Sequence, residues 1–157
     1  MIRTCLIALC LPALAGAAFA AELTAEQTVQ KVVQSVDENG AVTETFLAAD
    51  AVAPGDTVLY TLNYANSGPD AAEDVTLTMP VPPQVVLLEG SEFARNTAVA
   101  YSIDGGLTFA ERENLFVGEG ADVRPATAED ITHMQWAFTA DISAGQSGAI
   151  GFRGVLR

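Results

Sequence analysis

Apolar and polar residues alternate through Thr57–Asn66. Val58, Tyr60, Leu62 and Tyr64 fall on one set of positions, and Thr57, Leu59, Thr61, Asn63 and Ala65 on the other. A period of two places each set on one face of a β-strand, so the first set is expected to face a core. The same rule assigns Val75, Leu77 and Met79 to the core face of a strand over 74–79. It assigns Val99, Tyr101 and Ile103 to a strand over 98–103, and Met134, Trp136 and Phe138 to one over 131–140, with His133, Gln135 and Thr139 outward. Ile150, Phe152 and Leu156 line the last strand, 149–156, with Arg153 on its other face. Thr28–Val36 carries Val32, Val33 and Val36; its spacing from Leu23 has some helical character, but β-branched residues favour a strand. Residues 21–27 read as a short polar arm. Val42–Ala48 pairs back on 28–36. Short strands are expected at 85–88, 107–109 and 115–117.

Turn residues punctuate these runs. Asn39-Gly40, after Asp37-Glu38, is a hairpin signal. Pro54-Gly55-Asp56 opens the clearest strand, and Asn66-Ser67-Gly68-Pro69 closes it. Pro80, Pro82 and Pro83 cannot donate to a sheet ladder, so they mark an edge or a crossing between sheets. Eight or nine short strands without a convincing helix predict an all-β fold, an immunoglobulin-like antiparallel β-sandwich. A jelly roll or small barrel is the alternative. Residues 21–50 are expected as an N-terminal strand or hairpin arm, joined in one compact domain to the sandwich proper over 51–157.

The N-terminus changes the length that matters. Met1-Ile2-Arg3 carries one positive charge, residues 4–19 are uncharged and mostly apolar, and Ala18-Phe19-Ala20 has the small-x-small pattern of a cleavage site. Residues 1–20 are expected to be a secretory signal peptide, cleaved after Ala20. The apolar run is too short for a membrane span. Cys5 and Cys10 are the only 2 cysteines of the 157 residues, and Leu9 before Cys10 argues against lipidation. The exported chain then holds no disulfide and depends on packing. It would carry 6 basic residues against 20 acids, a net charge of −14. Such a chain repels nucleic acid and anionic membranes. The acids are scattered, as on a solvated surface, with a high-salt habitat or cation binding as further readings.

Ala53-Pro54-Gly55-Asp56-Thr57-Val58, Tyr60-Thr61-Leu62, Tyr64, Asn66-Ser67-Gly68-Pro69, Ala72 and Val75-Thr76-Leu77 together resemble the conserved-repeat domain of bacterial surface proteins, domain of unknown function eleven. The closing turn Ile142–Gly148 and its Phe-containing strand are similar to the end of that repeat, so the resemblance covers 52–157. It implies an immunoglobulin-like fold in a secreted or cell-wall setting and no general activity. The chain departs in being a single copy, with Met79-Pro80 where the repeat has Asp-x-Leu-Pro. Ser102-Ile103-Asp104-Gly105-Gly106-Leu107-Thr108-Phe109 is similar to the Asp-box hairpin of secreted β-proteins, in which Asp104 would bind turn amides while Gly106 supplies positive φ.

Candidate chemistry is sparse. The one histidine, His133, has no Gly-x-Ser-x-Gly elbow to serve. Zinc would need more His or Cys. Copper at His133, Met134 and Met79 would need two neighbours on opposite strand faces to converge. Trp136, Tyr60 and Tyr64 alternate with aliphatic residues and are expected in the core, not on a sugar platform. Asp70, Glu73 and Asp74 are the calcium candidates, clustered at one turn without a defined ligand spacing. The expected function is that of an exported, non-enzymatic module in the periplasm or medium. It would have a structural role or meet an envelope protein or glycan; a small periplasmic ligand or calcium binder is the alternative.

Overall fold

The computed structural model describes residues 22–157. The expected signal peptide, with both cysteines, lies outside the described residues. Ten strands form in chain order: β1 Leu23–Val36, β2 Val42–Ala48, β3 Thr57–Asn66, β4 Thr76–Pro80, β5 Val85–Leu87, β6 Thr97–Ser102, β7 Phe116–Val117, β8 Arg124–Pro125, β9 His133–Phe138 and β10 Ser147–Leu156. One sheet has the order β2-β1-β3-β10-β5, the other β4-β9-β6, and β7 and β8 form a separate two-stranded ribbon. All pairings are antiparallel. The expected all-β sandwich is present, with ten strands in place of eight or nine. No helix among the described residues is long and apolar enough to cross a membrane.

The core lies where alternation put it. Val58, Tyr60, Tyr64, Ile150 and Phe152 from the larger sheet meet Met79, Tyr101, Met134 and Trp136 from the smaller one. Within the larger sheet Tyr60 stacks on Phe152 with ring centroids 5.0 Å apart. Between the sheets Tyr64 meets Phe138 edge-on, also at 5.0 Å. Such aromatic pairs add about 1 kcal/mol each beyond the area they bury. Tyr101 belongs to this core. Burial first, then its hydrogen bond to Glu92, pushes its hydroxyl well above the ordinary tyrosine value. The prolines do both things expected of them: β4 is an edge strand ending at Pro80, and Val81-Pro82-Pro83 carries the chain across to β5 in the other sheet.

Three expectations are corrected. The strand expected over 74–79 starts only at Thr76. Residues 23–27 are no polar arm: β1 runs through Leu23, pairing Leu23 with Asn66 and Gln27 with Leu62. The long partner strand β3 supplies the backbone partners that local polarity did not suggest. Residues 107–109 form no strand. Asp104 Oδ1 accepts the backbone N–H of Leu107 at 3.1 Å and of Thr108 at 3.0 Å, which diverts them from a ladder. Only Ala110 returns to β6, in an isolated bridge with Tyr101.

The Asp-box turn therefore forms as its residues suggest. The Ser102 and Thr108 hydroxyls also donate to Asp104, at 2.7 and 2.6 Å. Gly105 and Gly106 take φ of 79° and 84°. The Ser102 hydrogen bond first, then those of Thr108, hold the Asp104 carboxyl well below the usual range. A depressed folded value contributes stability in full above the ordinary aspartate value of 3.8 and loses it as pH falls toward the folded value. Asp104→Asn should therefore melt below wild type at neutral pH, and the gap should close in acid. A gap that stays constant from neutral to strongly acidic buffer would overturn this account of the turn.

Candidate functional site at the free hairpin edge

The β1–β2 hairpin is built by its own turn. Asp37 Oδ1 accepts the N–H groups of Asn39 and Ala41 at 2.8 and 2.9 Å, and Gly40 turns with φ 79°. The Asp37 N–H donates to the Ala41 carbonyl at 2.9 Å, and Val36 then lies opposite Val42 and Val32 opposite Phe46. In an antiparallel pair, hydrogen-bonded and open positions alternate. Thr43, Thr45 and Leu47 therefore bond to β1. Val42, Glu44 and Phe46 point their N–H and C=O groups away from it.

No strand among the described residues meets that outer side of β2. All seven residues of β2 are exposed. Val36 and Val42, facing each other across the hairpin, are 67% and 60% exposed. Phe46 is exposed on their face of the ribbon and Leu47 on the other. Edge strands are normally blunted by charge, proline, bulges or a covering segment. The other edges of the sandwich show these devices. β5 is three residues long, β4 ends in Pro80, and β6 is bridged by Ala110.

β2 carries one charge, Glu44, and it is engaged internally. Arg153 of β10 donates to both its carboxylate oxygens, at 2.7 and 2.8 Å, and Gln34 donates at 3.0 Å. The Arg153 pair first, then Gln34, pushes the Glu44 carboxyl down to about 2. β3 and β1 lie between these partners, so the pair spans about three inter-strand spacings of ~4.8 Å, a reach that needs the sheet to curl toward that face. Glu44 thus shapes the sheet and leaves the edge without a free repelling charge.

The residues singled out as calcium candidates do not converge. Asp70, Glu73 and Asp74 are exposed, and no group of three or more carboxylate, imidazole or thiol side chains among the described residues could hold a metal. Asp74 turns the chain with φ 50°, and Asp70 offers its backbone carbonyl, not its carboxylate, to Asn66. The turn residues hold the frame together. Gly55, with φ 93°, donates its N–H to the Leu156 carbonyl at 2.8 Å, while Asp56 accepts the Ala53 N–H at 2.7 Å and pairs with Lys31 at 2.6 Å. The Lys31 hydrogen bond first, then that of Ala53, lowers the Asp56 carboxyl. Asn66 is buried and accepts the Gly68 N–H through Oδ1 at 3.1 Å. His133 touches Thr132 Oγ1 through Nδ1 at 3.2 Å and lies beside Gly106.

No family model matches the chain, and no curated protein or solved structure matches it. The site is therefore read from geometry alone. The hairpin edge escaped the sequence reading although a signal was present. Val42 and Phe46 lie on one face of the predicted strand and Leu47 on the other, apolar on both sides with one charge between. A strand of that kind is either buried or offered to a partner.

Proposed function

We propose that the chain is an exported, non-enzymatic interaction module of the bacterial envelope, acting in the periplasm or medium, that binds a protein partner by adding a partner strand to the outer edge of β2. The free, uncapped edge of β2 carries this reading. Main-chain hydrogen bonds would supply affinity, and the exposed Val36, Val42 and Phe46 would supply selectivity. The export pattern of residues 1–20 and the resemblance to surface-protein repeats support the setting. The calcium alternative draws no support from the exposed, unconverged Asp70, Glu73 and Asp74.

The test is in cells. A photo-crosslinking residue at Val42 should capture one discrete protein, with the adduct mapping to an extended segment of it. Phe46→Pro removes an outward N–H without touching a bond to β1, and should weaken capture about tenfold while the melting midpoint is kept. Phe46→Ala keeps the N–H and should weaken capture less. No adduct at Val42, or an adduct indifferent to Phe46→Pro, would overturn strand addition.

A further inference from the structure

A second feature lies away from the hairpin edge and shares no residue with it. Between the ends of the two sheets opens a cleft of about 590 Å³, within the range of small-ligand sites. Tyr64 and Phe138, in their edge-on pair, line it together with Phe93. Each is placed by backbone and packing. Gly148 leaves room for the tyrosine, since a Cβ there would stand 2.4 Å from the Tyr64 hydroxyl oxygen. Phe93 is fixed by a reciprocal pair of backbone hydrogen bonds with Gly151, at 2.9 and 3.0 Å, yet stays exposed.

The polar side of the cleft is formed by Arg95, Asn96 and Asp141. Arg95 is unusual in this chain. Of the basic residues described, Lys31, Arg112, Arg124 and Arg153 are in ion pairs and Arg157 donates to the Glu129 carbonyl. Arg95 makes neither an ion pair nor a side-chain hydrogen bond with any described residue, in a protein with 20 acids against 7 bases. Asp141 lines the same cleft and does not pair with it. The side chains of Asn96 and Asp141 and the Tyr64 hydroxyl likewise bond to no described side chain or backbone group. Asn96 holds φ 53°, a left-handed conformation costly to a residue with a side chain, and its carbonyl accepts the Thr139 N–H at 2.8 Å. The turn that presents Arg95 and Asn96 is therefore tied to the strand end that carries Phe138.

We infer that this cleft binds an acidic sugar unit, a pyranose ring bearing a carboxylate. The ring's apolar face would lie on Phe93 and Phe138, as ring C–H groups do on aromatic surfaces. The carboxylate would pair with Arg95, the one cation left unspent among the described residues. Asp141 accepts and Asn96 both donates and accepts, which matches ring hydroxyls. A flat aromatic acid would leave Asp141 facing a π-surface or a second carboxylate, and a neutral sugar would leave Arg95 unused. The unit could be free or part of a polyuronate chain, and the experiment separates these sources.

Calorimetric titration with galacturonate, trigalacturonate and galactose tests the assignment. The uronates should bind at least tenfold more tightly than galactose, a gap set by the charge-assisted bond to Arg95. Trimer much tighter than monomer assigns the cleft to a polymer; equal affinity assigns it to the free sugar acid. Arg95→Gln should erase the preference for uronate without lowering the melting midpoint, since the side chain has no internal partner. Asn96→Gly eases the backbone and removes the amide, so it should weaken binding while the fold is kept or stabilised. Phe46→Pro should leave uronate binding unchanged, which keeps this test separate from that of the hairpin edge. Equal binding of galactose and uronate, no saturable heat with either uronate, or full uronate preference in Arg95→Gln would each overturn the assignment.

Discussion

Gly151→Ala should lower the thermal midpoint by about 10 °C, a loss of about 3 kcal/mol from one added methyl. Gly151 lies in β10 opposite Thr61 of β3, with Phe93 bridged to its other side. A Cβ there would stand 2.2 Å from the Tyr60 carbonyl oxygen and 2.7 Å from two atoms of the Phe93 ring. The ring is the end of a side chain and can turn aside. The carbonyl belongs to β3 and cannot move without disturbing the ladder that joins the two longest core-lining strands. Phe93→Ala should therefore rescue only part of the loss when combined with Gly151→Ala. Circular-dichroism melts of the two single variants and the double variant decide the matter. A Gly151→Ala midpoint within about 2 °C of wild type would show that β10 has slack which this geometry denies.

The fold was legible where a strand has one face in the core and meets its partners along its length. Val58, Tyr60 and Tyr64, then Met134 and Trp136, alternate with polar or half-buried neighbours, and each is buried as its position requires. Where the outcome depends on a distant partner, the local pattern misleads. Leu23–Gln27 looks like an arm because Glu26 and Gln27 are polar, and it becomes strand because β3 extends far enough to pair with it. Leu107–Phe109 looks like a returning strand because it is apolar, and it is kept out of the ladder by a carboxylate three residues before it. Leu107 remains 83% exposed as a result. Asp74 was expected to begin β4, but its left-handed backbone ends the preceding turn and the strand starts at Thr76.

The candidate sites were less legible, for a physical reason. Closeness in sequence put Asp70, Glu73 and Asp74 together, but an exposed turn points neighbouring carboxylates in different directions. The β2 edge is a property of strand order, which no window of residues contains. Arg95 has no motif around it. Its freedom is known only after every other described cation has found its partner, across separations as large as the 109 residues between Glu44 and Arg153. Turn chemistry behaves differently because it is local: Asp37, Asp56 and Asp104 each bind backbone N–H groups within four residues, and each was expected in its turn.

Asn66 shows how a turn residue can hold more than its turn, and its replacement should be costly. It is 1% exposed at the end of β3. Its Nδ2 donates to the Asp70 carbonyl and to the Ile142 carbonyl, both at 2.8 Å. Its Oδ1 accepts the Gly68 N–H at 3.1 Å, so the whole amide is satisfied. Ile142 lies 76 residues away and is paired by its backbone to Ala72, so this one side chain joins the turn that follows β3 to the turn that precedes β10. Asn66→Leu fills similar space but leaves the buried Gly68 N–H unpaired and strips the Ile142 carbonyl of its second donor, at a cost of about 3 kcal/mol, a large part of the stability of an ordinary domain. Asn66→Asp separates this account from simple loss of packing. At neutral pH a carboxylate would face two carbonyl oxygens in place of the amide's two donors. Burial and those carbonyls would raise its folded pKa above the ordinary aspartate value, so the folded state would bind a proton that the unfolded state releases. Stability must then rise as pH falls through the folded value, the reverse of the Asp104 case. Melts of Asn66→Asp should recover part of their deficit in mild acid, where Asn66→Leu recovers none. A deficit that is equal at both pH values would mean that the Asn66 donors do not carry the junction.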